Sequence, residues 1–175
     1  MKVHMFFDLL GPKECLSQIR KLKHLGDNFE ASTFDWTYAK SLGIVNRCLK
    51  GQLNNRKMCC GKILEHAKDQ VSSFRERIGV RLCCFKIGVT SNPLVRFPMY
   101  LEKGYSEMWL ISVSPSIDMT QMLEAALVSE FGKHVGCHNK CGSGGEGSFN
   151  RDTPPPPPYF VYVTGGRADQ SRRVG

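Results

Sequence analysis

Three short runs of strand-forming residues, set among segments with helical periodicity, constrain the fold of this chain more than any other feature. Residues 80–90, 108–114 and 159–164 are rich in β-branched, aromatic and other apolar side chains. The first run is followed by Asn92 and Pro93, which suit the N-cap and the first position of a helix. The sequence therefore predicts an α+β fold, with a small mostly antiparallel sheet flanked by helices.

A longer helix is predicted after the second run. Asp118 is a suitable N-cap, Gln121 follows it three residues later as in a capping box, and the pattern ends near Gly132. The expected apolar stripe of this helix comprises Met119, Met122, Leu123, Ala126, Leu127 and Phe131. Glu130 is expected near the centre of this stripe, where a carboxylate is costly unless it serves a purpose.

The N-terminal part of the chain carries most of the positive charge. Helical patterns cover residues 12–24, about 33–49 and 57–77. Residues 1–80 hold 14 Lys/Arg against 8 Asp/Glu, whereas residues 81–175 hold 10 against 8. These helices could form a basic bundle that precedes the sheet or could be excursions on the main domain. The excess of positive charge favours a polyanionic partner, attracted mainly by this half of the chain.

The N-terminus and the overall composition bear on the cellular compartment. The chain begins Met-Lys-Val-His-Met-Phe-Phe-Asp, which lacks the long apolar core of a signal peptide. No stretch approaches the ~18 consecutive apolar residues of a membrane span. We therefore expect the eight cysteines to be reduced thiols in a cytoplasmic or nuclear protein without a membrane partner.

A block within the first strand resembles a motif of a nuclease family. Residues 85–93 read Phe-Lys-Ile-Gly-Val-Thr-Ser-Asn-Pro, and Arg96 and Tyr100 follow. This block resembles the second core motif of the GIY-YIG nucleases, in a branch that has Lys-Ile-Gly in place of Tyr-Ile-Gly. Leu-Glu-Ala-Ala-Leu-Val, which contains Glu124, resembles the helix that carries the metal-binding Glu of that family. Asn139 stands where the family has an Asn that supports the site.

The resemblance extends over about half of the chain. It implies a GIY-YIG-like nuclease domain at residues 78–164. The charge and residue pattern predict a basic helical segment at residues 1–77 before it and a disordered polar tail at residues 165–175 after it. The resemblance also implies a metal-dependent endonuclease that hydrolyses phosphodiester bonds in nucleic acid, which we expect to be DNA.

The resemblance also assigns chemical roles. Glu124 would be the only protein carboxylate ligand of one Mg²⁺ or Mn²⁺, and Mg²⁺ accepts few protein ligands because it keeps several waters. Arg96 would clamp the phosphate with its planar guanidinium, and Lys86 would supply a second positive group. Gly88 would let the phosphate approach the backbone closely. Tyr100 is expected to act with Arg96.

Four basic residues are predicted to contact nucleic acid: Lys86, Arg96, Lys133 and Lys140. A catalytically inactive nucleic-acid-binding module on the same scaffold is the main alternative function. A zinc-stabilised interaction protein is a weaker one, because Cys137, His138 and Cys141 have no evident fourth ligand. Zinc is therefore not an expected cofactor.

The aromatic first strand of the family, which pairs with the Lys-Ile-Gly strand, has no counterpart upstream of Val80. Phe160-Val161-Tyr162 has the right character downstream. We expect this strand to pair beside residues 85–89 as an edge strand, because chains tolerate permutation when their ends lie close. It should bring Tyr162, or failing that Tyr159, near Glu124 and Arg96. Side chains alternate along a strand, so only one of the two tyrosines can face the site.

Overall fold

The computed structural model describes residues 35–44, 60–80, 83–139 and 153–167, and the predicted α+β fold is confirmed within them. The helix predicted at residues 12–24 lies outside the described residues. In chain order the elements are α1 (Trp36–Ser41), α2 (Cys60–Ile78), β1 (Cys83–Thr90), α3 (Pro93–Glu102), β2 (Glu107–Ser114), α4 (Ile117–Phe131) and β3 (Tyr159–Arg167).

The three strands form one antiparallel sheet in the order β1-β3-β2. The predicted pairing of the C-terminal strand beside β1 is confirmed, with Tyr162 opposite Gly88. This strand was expected at an edge of the sheet, but it lies in the centre, with Tyr162 also opposite Leu110 of β2. The central position pairs both edges of this strand, and its alternating side chains contribute to the cores on both faces of the sheet.

The last strand is also longer than predicted. It continues to Arg167, so Gly165 and Gly166, which we assigned to a disordered tail, belong to the sheet. A Cβ atom on Gly165 would come within 2.6 Å of the Cys84 carbonyl oxygen and 2.9 Å of the Phe74 ring. Glycine is rare inside strands, which is why propensity ended the strand early, but here its missing side chain permits close packing.

The sheet is covered on both faces. One face packs against α2 and α4 through Phe85, Ile87, Val89, Ile111, Val161 and Val163. The other packs against α3 and residues Ala39 and Ile44, through Met108, Leu110, Phe160 and Tyr162. The molecule therefore has three layers, and the sheet is the middle one.

Helix α2 shares its core with the sheet. Ala67, Val71 and Phe74 are fully buried, and they belong to the same cluster as Phe85 and Val163. Phe74 also meets Trp109 of β2 edge to face, with ring centroids 5.3 Å apart. Of the two possibilities left open for this helix, the structure has the one in which it packs on the main domain.

Helix α3 begins as predicted, because the Asn92 side chain accepts a hydrogen bond of 3.2 Å from the Val95 amide and Pro93 follows it. Pro98 lies inside this helix, which continues to Glu102. A proline inside a helix costs about 3 kcal/mol. Burial of Pro98 and of its neighbour Phe97 offsets part of that cost.

Helix α4 differs from its prediction in both its cap and its buried face. Ser116, not Asp118, is the N-cap and accepts from the Met119 amide at 3.3 Å. Met119 and Met122 are 41% and 69% exposed, whereas the buried positions are Thr120, Glu124, Leu127 and Phe131. The buried face therefore differs from the expected stripe, with Glu124 on the inside and Glu130 exposed.

Candidate active site

The candidate active site is built around Tyr162, whose ring crosses the Lys-Ile-Gly strand. A Cβ atom on Gly88 would lie 2.5 Å from the Tyr162 hydroxyl oxygen. The Tyr162 and Tyr100 hydroxyl oxygens are 2.9 Å apart and buried. The space above Gly88, which we had assigned to a phosphate, is therefore filled by the phenol of Tyr162.

Tyr162 is only 1% exposed, and burial raises its pKa well above 10. The neighbouring Tyr100 and the charge of Glu124 raise the pKa further, whereas the positive charge of Arg96 lowers it. Both predicted neighbours thus act electrostatically on the Tyr162 hydroxyl. Because a phenol with a raised pKa keeps its proton near neutral pH, this hydroxyl can donate a hydrogen bond there but does not act as a base.

Glu124 is the buried carboxylate of the site. It is 8% exposed, and its Oε1 atom has no hydrogen-bond partner among the described residues. Burial raises its pKa to about 7, although the charge of Lys86 acts in the opposite direction. A buried acceptor without a partner is costly, so this oxygen is well suited to a cation that enters the site.

Glu130, the rival carboxylate, lies in a different environment. It is exposed, and its carboxylate accepts from the Lys68 ammonium at 2.7 Å. The hydrogen bond and the charge of Lys68 lower its pKa. The same helix therefore presents one carboxylate to the interior and one to a surface ion pair, which provides a matched comparison.

The two basic residues of the site come from different elements. Arg96 is half-buried on α3, one turn before Tyr100, so both side chains lie on one helix face. Lys86 lies on β1 two residues before Gly88, so it shares the sheet face on which Tyr162 lies. Its side chain is 8% exposed, and its charge acts on Glu124.

Asn139 supports the Lys-Ile-Gly strand from its outer edge. Its side-chain oxygen accepts from the Ile87 amide at 2.8 Å, and its side-chain nitrogen donates to the Ile87 carbonyl at 2.7 Å. This buried amide thus occupies the edge of β1 on which no strand of the described ranges lies. Ile87, the residue that Asn139 contacts, lies between Lys86 and Gly88 of the site, which indicates that Asn139 holds this part of the strand in place.

The other predicted contacts are less central. Lys133 is exposed in the turn after α4. At the rise per residue of a helix, its separation from Glu124 in sequence corresponds to about 13 Å along the helix axis. Lys140 lies outside the described residues, as does Cys141 of the zinc alternative. Tyr159 is directed elsewhere, since its hydroxyl donates to the Pro155 carbonyl at 2.6 Å.

A metal ion would have to be held mainly by Glu124. Within the ranges that the structure describes, no group of three His, Cys, Asp or Glu side chains is arranged to hold one. The partnerless Oε1 of Glu124 nevertheless fits a cation that keeps most of its ligands as water, as Mg²⁺ does.

Sequence reasoning missed one pair next to the site. The Tyr105 hydroxyl and Nδ1 of His138 are 2.8 Å apart, and Tyr105 also meets Tyr100 edge to face. We had considered His138 only as a zinc ligand. Its position immediately before Asn139 was the available signal, because the two residues lie along the same edge of β1.

Comparison of the chain with protein-family models, with curated proteins and with solved structures gives no match. Among the helices of the described ranges, none combines the length and the apolar character that a membrane crossing requires.

Proposed function

We propose that this protein is a metal-dependent endonuclease with a permuted GIY-YIG-like site. The observation that supports this most is the pairing of β3 with β1, which sets Tyr162 opposite Gly88. That pairing supplies, from the C-terminal side, the aromatic strand that has no counterpart upstream. Arg96 and Glu124, from two other elements, both act electrostatically on the same hydroxyl.

The residues divide the work of phosphodiester hydrolysis. Arg96 binds a phosphate oxygen pair through its planar guanidinium, and Lys86 adds positive charge beside Glu124. Glu124 holds the Mg²⁺ or Mn²⁺, which when bound supplies Lewis-acid stabilisation of charge on the phosphate and leaving oxygen. Tyr162 keeps its proton because burial raises its pKa, so its hydroxyl, hydrogen-bonded with that of Tyr100, is a neutral polar group of the site and not a base.

The substrate is nucleic acid, and we propose DNA. The net charge of +8 supports a polyanionic substrate, and phosphate contacts would make binding weaken steeply as salt increases. We place the activity in the cytoplasm or the nucleus, where thiols stay reduced. Neither Cys84 nor Cys137 forms a disulfide, in keeping with that proposal.

A second candidate function is a nucleic-acid-binding module without catalytic activity. The burial of Tyr162 favours it, because a hydroxyl that is 1% exposed must first be uncovered before a substrate can reach it. The raised pKa of the same group points the same way, since it removes the tyrosine as a base near neutral pH.

Nicking of supercoiled plasmid separates the two candidates. Purified protein is incubated with plasmid in Mg²⁺, in Mn²⁺ and in a chelator, beside the variants Glu124→Gln and Glu130→Gln. The nuclease is supported if nicking requires metal, is lost in Glu124→Gln and survives in Glu130→Gln. Binding of DNA without metal-dependent nicking would leave the binding module as the function.

A further inference from the structure

Residues 136–139, named here the edge segment, lie along the outer edge of β1. The Phe85 amide donates to the Gly136 carbonyl, and the His138 amide donates to the Phe85 carbonyl, each at 2.8 Å. Phe85 and Cys137 thereby form a parallel bridge, and Asn139 continues the pairing through Ile87. The edge segment is thus fixed in register with the Lys-Ile-Gly strand.

The register determines on which face His138 lies. Cys137 packs against the core beneath α2 and α4, on the same side as Phe85. Because side chains alternate, His138 is on the opposite face, beside Lys86. The contact with Tyr105 supports this placement of His138. Tyr105 belongs to the core under α3, and its hydroxyl is hydrogen-bonded to the His138 ring. Backbones so paired lie about 4.8 Å apart, so His138 is an immediate neighbour of Lys86.

The imidazole is held in position but remains accessible. Its Nδ1 bonds the Tyr105 hydroxyl at 2.8 Å, and the rings meet edge to face with centroids 6.0 Å apart. Tyr105 packs in turn on Tyr100, which bonds Tyr162. The residue is exposed, and its Nε2 has no hydrogen-bond partner among the described residues. A rigid aromatic chain therefore connects an exposed ring nitrogen to the hydroxyl pair of the site.

We propose that His138 is a phosphate-binding residue of this site, whose Nε2 contacts a nucleic-acid backbone phosphate beside the one bound by Arg96. The inference rests on the proposed function for the nature of the ligand. When the Tyr105 hydroxyl donates to Nδ1, the ring proton is on Nε2 and is directed at the phosphate. Protonation of the ring adds a positive charge to the same contact. Within the described ranges, the titratable groups next to the ring are Tyr105, whose hydroxyl is hydrogen-bonded to it, and Lys86, at the adjacent position of β1.

The geometry favours a phosphate contact over proton transfer at the reacting bond. Two intervening rings, Tyr105 and Tyr100, separate His138 from Tyr162, and the successive centroid spacings are 6.0, 5.3 and 5.7 Å. A general base must come within direct or one-water reach of its proton, and His138 lies farther along this chain. A neighbouring phosphate of a bound strand is a suitable partner at that separation.

The test measures binding of fluorescently labelled duplex DNA by anisotropy, in a Glu124→Gln background that prevents cleavage. Affinities are taken over a series of salt concentrations at about pH 5.5 and about pH 8, the range in which histidine gains or loses its charge. His138→Ala is expected to weaken binding about tenfold at the lower pH. It should also reduce the slope of log K against log salt by about one there and leave the slope unchanged at the higher pH.

His134→Ala is the matched control. His134 is also exposed and lies four residues earlier, but its Nδ1 is bonded to Nη1 of Arg75 at 2.8 Å, away from the edge segment. Its loss should leave the salt slope unchanged at both pH values. An equal effect of the two substitutions would mean a general loss of charge and would overturn the proposal.

Two further variants keep the result interpretable if His138→Ala perturbs the fold. His138→Gln places an amide nitrogen near the position of Nε2, so it should bind almost normally at the higher pH and lose the pH dependence. Tyr105→Phe releases the ring and should weaken binding without altering the slope at the higher pH.

If His138→Ala and His138→Gln bind as the parent does at both pH values, the proposal is rejected, while metal-dependent nicking can still support the proposed function. A parent protein that binds no DNA rejects both.

Discussion

Tyr162 lies across Gly88 so closely that a methyl group on the glycine would come within 2.5 Å of the hydroxyl oxygen and 2.7 Å of Cζ. Tyr162 is pinned between β1 and Tyr100, so the ring has little freedom to give way. The position of the Tyr162 ring therefore requires a glycine at the third position of the Lys-Ile-Gly motif.

Gly88→Ala is expected to destabilise the fold by about 1–3 kcal/mol, because the added carbon overpacks a full core. It should also displace the Tyr162 hydroxyl and reduce any nicking activity. Gly61→Ala is the control, since nothing lies within 4 Å of the Cβ position in α2. That substitution should stabilise the protein by about 0.5–1 kcal/mol, as expected for alanine in a helix. Chemical denaturation measures both, and equal effects would contradict the close contact.

The hydroxyl pair predicts a strong coupling between Tyr100 and Tyr162. Tyr100→Phe or Tyr162→Phe alone leaves one buried hydroxyl without its partner, at a cost of about 1–3 kcal/mol. The double variant removes both hydroxyls and should cost clearly less than the sum of the two. A double-mutant cycle on the free energy of unfolding measures this, and additive effects would mean that the hydroxyls do not bond.

The pKa of about 7 for Glu124 predicts how stability depends on pH. The folded protein binds its proton more tightly than the unfolded chain, whose value is near 4.5. Between pH 4.5 and about 7 the unfolded state therefore holds fewer protons, so the free energy of unfolding falls as pH rises. Glu124→Gln removes this loss and should be more stable than the parent at pH 8, by on the order of 3 kcal/mol.

Glu130→Gln is the control with the opposite sign. Its lowered pKa gives stability that is present above the unfolded value and is lost as pH falls through the folded value. Thermal melts of the parent and both variants from pH 4 to pH 8 distinguish the two residues. Mg²⁺ binds the ionised carboxylate, so it should stabilise the parent more at pH 8 than at pH 6 and have no such effect on Glu124→Gln.

The hydrogen bonds of Asn139 should protect the Lys-Ile-Gly strand locally from hydrogen exchange. Asn139→Ala leaves the Ile87 amide and carbonyl without the partner that Asn139 provides. Each buried polar group left without a hydrogen bond costs about 1–3 kcal/mol. Asn139→Asp keeps the acceptor for the Ile87 amide but sets a carboxylate oxygen against the Ile87 carbonyl. Hydrogen exchange should show faster exchange of the Ile87 amide in the alanine variant than in the aspartate variant, and unchanged exchange in both would exclude the pairing.

Local chemistry explains which parts of this structure could be predicted from the sequence. Asn92 and Pro93 determine the start of α3 through one side-chain hydrogen bond and one fixed backbone angle, and both act within four residues. The strand at Tyr159 was recognisable from its aromatic and β-branched composition, and the alternation of its side chains separated Tyr162 from Tyr159 correctly.

Tertiary packing explains what was missed. Ser116 and Asp118 are both suitable caps, and the local sequence does not distinguish between them; in the folded chain Ser116 is the N-cap, and Thr120 and Leu127 are buried. Gly165 reads as the end of a strand unless the Phe74 ring that fills the space above it is known. The central place of β3 likewise depends on contacts between residues far apart in sequence.

The order β1-β3-β2 also restricts when this sheet can assemble. β1 and β2 are not partners of each other, so every ladder hydrogen bond of the three-stranded sheet waits for residues 159–167. During synthesis, β1, α3, β2 and α4 leave the ribosome before β3, the strand that pairs with both β1 and β2. A nascent chain stopped short of Tyr159 presents two unsatisfied strand edges to chaperones and to other chains. The sheet is therefore completed, and Tyr162 takes its place in it, only late in the synthesis of each molecule.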